Sequence, residues 1–151
     1  PAKSKCRTGS LERSGLRRQR RGMTINPFNH VDLRVADEEE ALRFYQTLLP
    51  RLGFKTTRHS EGWRVFATEG PFPSAAYFGF TQEKDHRPND NRVAFWVGSA
   101  AEVDQLAEIA KSAGARNVSG PKPMPEYSST YYAVFFEDPS GNKLEICFRM
   151  D

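Results

Sequence analysis

The chain has 151 residues, of which 38% are hydrophobic and 27% charged, with 11 Phe, 5 Tyr and 2 Trp. That is the length of one domain with enough apolar material for a core, which excludes wholesale disorder. The longest apolar run, residues 131–136, is far short of the roughly 18 residues a spanning helix needs.

The formal charge of +3 divides unevenly along the chain. Residues 1–22 hold eight of the Lys and Arg residues and a single acid, Glu12, while the rest carries an excess of four acids. With Leu11 and Leu16 as its main apolar residues, this stretch cannot offset its chain entropy by burial. It reads as a disordered basic leader, and Met23 just before the first patterned segment favours an extension outside the native domain. A basic arm for nucleic acid and an organelle transit segment are the weaker alternatives. The body is mildly acidic, so nucleic acid is not expected as a partner. Cys6 and Cys147 form neither a disulfide framework nor a zinc spacing, which fits a reducing, cytoplasmic setting.

From Met23 the pattern is that of one folded domain, residues 23–151. Residues 29–35 alternate, with Val31, Leu33 and Val35 on one face and His30, Asp32 and Arg34 on the other, which predicts a half-buried strand. Asp37 and Glu40 form a capping box, and the stripe Ala41, Leu42, Tyr45, Leu48, Leu49, Leu52 predicts a helix ending near Pro50. Strands are predicted over 63–68 and 75–81, with a weaker one over 55–59. The design returns 62 residues later. Residues 92–97 alternate, Ser99 and Glu102 form a second capping box, and Val103, Leu106, Ile109, Ala110 and Ala113 make a second stripe ending at Gly114. Residues 119–129, rich in Pro and Ser, read as a loop. Strands are predicted over 131–137 and 143–149, joined by the turn at Asp138 to Asn142. The chain is therefore a duplicated strand–helix–strands unit, with modules of about 28–81 and 90–150.

The polar faces of the opening strands hold His30, Asp32, Arg34, Arg92 and Trp96, and Glu145, Cys147 and Arg149 share a face of the last strand. Such a sheet face needs water or a ligand against it.

His30-Val31-Asp32-Leu33-Arg34-Val35, Phe44-Tyr45 and Leu52-Gly53-Phe54 resemble the opening of the vicinal oxygen chelate superfamily, the group of glyoxalase I, bleomycin- and fosfomycin-resistance proteins and extradiol dioxygenases. The more specific half of the resemblance is the run from Tyr132-Ala133-Val134-Phe135-Phe136 through Glu137-Asp138-Pro139-Ser140-Gly141-Asn142 to Lys143-Leu144-Glu145. It implies an α+β fold of two βαβββ modules forming an open, eight-stranded, barrel-like sheet around a cavity. It also implies a homodimer and a metal site. In that site His30 and Glu145 would be ligands for Ni, Zn, Mn or Fe. Tyr77 would stand, by a weak alignment, at the last-strand position of the first module. The third ligand position falls on Arg92, which cannot coordinate a metal and repels one. An Arg92–Glu145 salt bridge in place of the ion is the favoured expectation. His59 or His86, both expected in loops, could supply a missing ligand.

Two functions follow. The first is a binding protein for a small molecule, in which Arg34 or Arg92 pairs with an anionic group and Trp96, Tyr77, Tyr127, Tyr131 and Tyr132 line the pocket. The second is a divalent-metal-dependent lyase or dioxygenase, with Glu145 the best candidate for a catalytic residue.

Overall fold

The computed structural model describes residues 28–70 and 74–150. The leader read at residues 1–22 lies outside them. The first module runs β1 (His30–Val35), α1 (Glu38–Leu48), a 3-10 turn (Leu49–Leu52), β2 (Phe54–Ser60), β3 (Trp63–Thr68) and β4 (Tyr77–Gln82). The second runs β5 (Arg92–Trp96), α2 (Ala100–Ala113), β6 (Arg116–Pro123), β7 (Tyr132–Glu137) and β8 (Lys143–Phe148).

Each module folds its strands into one four-stranded sheet, in the orders β1-β4-β3-β2 and β5-β8-β7-β6. The first strand of each pairs in parallel with the last, and the other pairs are antiparallel. The sheets are open, as expected for two βαβββ modules. The repeat read from the sequence is thus a repeat of topology.

The helix boundaries follow from capping. Asp37 accepts from the Glu40 amide at 2.8 Å, and Ser99 accepts from the Glu102 amide at 3.2 Å. The return bonds of the two boxes differ from the ideal. Glu40 turns to Arg116 at 3.2 Å, and Glu102 accepts from the Gly98 amide at 2.7 Å. Pro50 converts the end of α1 into the 3-10 turn, which Gly53 closes at φ 93°.

One core serves both modules. It holds Val35, Phe44, Tyr45, Phe78 and Phe80 from the first and Val103, Leu106, Val134, Leu144 and Ile146 from the second. Each such side chain, fully buried, contributes roughly 1.5–3 kcal/mol. The helices pack against each other, and Phe54 and Phe78 meet Phe95 across the modules at 6.3 and 5.7 Å. With one face of each sheet committed to this core, the opposite face holds the polar residues of β1 and β5.

The segment read as a loop over 119–129 begins instead as the end of β6. Among the described residues β6 is an edge strand paired only with β7, through two register shifts. Pro121 and Pro123 are tolerated there because an edge has no second ladder to interrupt. Among the described residues no helix is long and apolar enough to cross a membrane.

Candidate functional site

The register of the second sheet sets Arg92, Ala94 and Trp96 of β5 on the same face as Glu145 and Cys147 of β8 and Phe135 of β7. At its centre is Glu145, with a side chain only 7% exposed. Its Oε1 accepts from the Tyr131 hydroxyl at 2.6 Å, and the Arg92 guanidinium approaches its Oε2 at 3.8 Å. Arg92 lies over the Phe135 ring, 4.8 Å from its centroid. Burial, and then bonding to Cys147 and Glu145, pushes the Tyr131 phenol up, so it stays a donor. Burial likewise pushes the Cys147 thiol up, Glu145 adding to the rise and Tyr131 and Arg149 opposing it. This thiol is not an activated nucleophile. Trp96, 62% exposed, stands 6.5 Å from Tyr131, which in turn meets Tyr127 edge to face at 5.4 Å. Arg149 covers Trp96 at 5.4 Å.

The first sheet presents the matching face of His30, Asp32 and Arg34 from β1, Tyr77 and Gly79 from β4, and Trp63 from β3. The two registers fix how the modules correspond. His30 pairs with Tyr77 as Arg92 pairs with Lys143, so Gly79 holds the place that Glu145 holds in the second sheet. Tyr77 is one pleat away from that place. Gly79 has no side chain because Trp63 occupies the space: a Cβ there would sit 2.2 Å from Trp63 Nε1. That indole nitrogen is buried without a hydrogen-bond partner among the described residues, and the His30 ring meets the indole edge to face at 6.0 Å.

Between the free edges of β1 and β5 lies a cavity of about 290 Å³. His30 and Tyr77 line it from one side and Arg92 and Phe95 from the other. The metal that the fold suggests does not fit the donors at the matching positions of the two sheets. A divalent ion in a protein takes roughly three or more protein ligands. Both oxygens of Glu145 already face cationic or hydroxyl donors, the third position is a guanidinium and the fourth is a glycine. Among the described residues no three His, Cys, Asp or Glu side chains gather.

The remaining candidates separate. Arg34 bonds Asp32 at 2.7 Å, which raises its already high pKa, and both line a second cavity together with His86. His59 is in β2, beside Arg64 in a different cavity. Neither histidine reaches the seam. Tyr132 points away from the cleft: it packs on the core and donates to Asp104 of α2 at 2.8 Å. Phe135, Trp63 and Gly79 belong to the site and were not singled out for it. Phe135 sits in a run whose two parities are both apolar, with Ala133 and Val134 both buried, so its side of the sheet is set only by the pairing with β8. The Trp63–Gly79 pair, which joins different strands, leaves no local signal.

The sequence model of the Glyoxalase/Bleomycin resistance protein/Dioxygenase superfamily matches residues 28–146. The uncharacterized protein YqjT of Bacillus subtilis is 29% identical over 128 residues, covering 78% of this chain and 95% of the relative. A glyoxalase/bleomycin resistance protein of Albidiferax ferrireducens superposes with a TM-score of 0.65 at 23% identity, over 82% of this chain and 98% of that one. The E126Q mutant of FosX from Listeria monocytogenes, complexed with Mn(II) and 1S,2S-dihydroxypropylphosphonic acid, superposes at 0.59 with 20% identity, over 82% and 90%. At such identities the structural likeness is one of fold. By the extent of the family match and by the two-module topology, the chain belongs to the Glyoxalase/Bleomycin resistance protein/Dioxygenase superfamily.

Proposed function

We propose that the chain binds a small molecule on the cleft face of its two sheets without a divalent metal, the Arg92 guanidinium supplying the positive charge. The observation that carries this reading is the Arg92–Glu145 approach at 3.8 Å over the Phe135 ring. A fixed cation there repels a metal and offers a planar set of donors to an anionic oxygen. Trp96 and Tyr127, both exposed, supply stacking surface at the outer end of the same face. The second reading, a metal-dependent lyase or dioxygenase with His30 and Glu145 as ligands, has the Mn(II) of the Listeria relative in its favour. It lacks donors at two of its four positions.

A panel of small carboxylates and phosphonates, assayed by ligand-observed NMR, tests the proposal. At least one compound should bind equally well with and without EDTA, and Arg92→Gln should weaken it about tenfold, the scale of one charge-assisted contact. Binding that appears only when Mn(II), Ni(II), Zn(II) or Fe(II) is added would favour the metal enzyme.

We further propose that the chain forms a homodimer. Among the described residues β2 and β6 end their sheets with one edge unpaired, and open edges seek partners. Light scattering at micromolar concentration should give about twice the chain mass of 17.1 kDa. A particle of monomer mass would count against it.

A further inference from the structure

We infer that the seam cavity between β1 and β5 takes a small, flat carboxylate with an apolar body, its ring held between the modules and its carboxylate on Arg92. The inference rests on the metal-free reading of the cleft and adds the place and the chemical class of the ligand.

The cavity has two unlike regions. Its inner wall is Val31, Phe54, Phe78, Val93 and Phe95, side chains that also belong to or pack against the core. Phe54 and Phe95 meet at 80° and Phe78 and Phe95 at 41°, so the aromatic walls offer both edges and faces to a planar ring. A sugar or a phosphate pushed against this wall would lose its hydration without gaining partners. Of its polar residues, His30, Tyr77 and Arg92 lie on the cleft-facing side of β1, β4 and β5, and Asn29 is bonded to His30 Nδ1 at 2.8 Å. The ligand this selects is therefore amphiphilic, with one charged end.

The charge at that end is set by Arg92. Its side chain lines the cavity and is 39% exposed; the guanidinium, which rests over Phe135, is 3.8 Å from Glu145, longer than a hydrogen bond, and must turn from there toward the seam to meet the carboxylate. A guanidinium carries five N–H donors in a fork that matches a carboxylate. Glu145 already offsets one positive charge beside it, so a monoanion suits the site better than a dianionic phosphate. The volume, about 290 Å³, is at the lower end of the usual range of roughly 300–1,000 Å³ for ligand sites, which favours one or two fused rings.

The test compares 2-naphthoate with its neutral counterpart 2-naphthamide by calorimetric titration of the full chain in EDTA. Naphthoate should bind once per chain and at least about tenfold more tightly than naphthamide. Arg92→Gln should remove that preference and leave naphthamide unchanged, and Arg92→Lys should retain part of it. Amide chemical shifts should move in β1 and β5 with either ligand. Equal affinity of the two compounds, or an unchanged naphthoate affinity in Arg92→Gln, overturns the carboxylate assignment while leaving a metal-free cleft intact. Failure of both compounds to bind overturns the seam cavity as the ligand site. Naphthoate binding that requires added metal would instead overturn the reading on which this inference rests.

Discussion

Replacing Asp138 by Ala should cost about 2–4 kcal/mol of stability, the scale of several hydrogen bonds to a buried carboxylate lost together. Asp138 is fully buried and both of its oxygens are in use. Oδ1 accepts from the amides of Ser140 and Asn142 at 2.8 and 2.9 Å, and Oδ2 from the Tyr45 hydroxyl and Asn142 Nδ2 at 2.7 and 2.8 Å. The bond to Tyr45 ties α1 of the first module to the β7–β8 turn of the second. Asn142 Nδ2 to the Arg34 carbonyl at 2.9 Å and the Ala36 amide to Ser140 Oγ at 3.0 Å complete the latch. Removing the carboxylate leaves the buried Tyr45 hydroxyl and three partly buried donors of Ser140 and Asn142 without their acceptor at once. Tyr45→Phe removes only one donor and should cost about 1–2 kcal/mol. Burial, and then Asp138, holds the Tyr45 phenol well above its ordinary value, so the hydroxyl stays protonated and donating. Urea denaturation of the two variants measures the difference. A loss below about 1 kcal/mol for Asp138→Ala, the worth of one ordinary hydrogen bond, would show that the turn does not latch the modules.

Gly79→Ala should cost about 1–3 kcal/mol, the usual penalty for overpacking. The new Cβ would lie 2.2 Å from Trp63 Nε1 and 2.5 Å from its Cε2, so the indole must leave the sheet. Trp63→Ala empties that space. In its background the glycine substitution should cost far less, a coupling of about 1 kcal/mol or more between contacting residues. The indole emission of Gly79→Ala should also change as Trp63 moves. Additive losses across the double-mutant cycle, with unaltered fluorescence, would mean that Trp63 and Gly79 do not share one space.

Much of the fold was legible because its signals are local. Strand alternation, the Asp37 and Ser99 caps, Pro50 and Gly114 each act within a few residues, and the spacing of the repeat then implied the modules. β6 escaped because its Pro and Ser content mimics a loop, and only its pairing with β7 makes it a strand. The site was less legible for the same physical reason. His30, Arg92, Trp96 and Glu145 share a face by simple parity. In the run from Tyr131 to Phe136 both parities are apolar, and a step of one residue moves a side chain through the sheet. Tyr131 therefore faces the cleft and Tyr132 the helix, with nothing in their composition to tell them apart. The correspondence of Gly79 with Glu145 depends on strand register, which appears only once β4 and β8 are paired with β1 and β5.

The central claim is that Arg92 stands where a metal would need a ligand. Calorimetric titration of the wild-type chain with Mn(II), Ni(II) and Zn(II), beside Arg92→His, tests it most directly. The substitution removes a repelling cation and adds an imidazole beside Glu145, on the cavity that His30 also lines. The account predicts no stoichiometric site in the wild type and a measurable one in Arg92→His. One tightly held ion per wild-type chain, lost in His30→Ala or Glu145→Ala, would contradict it.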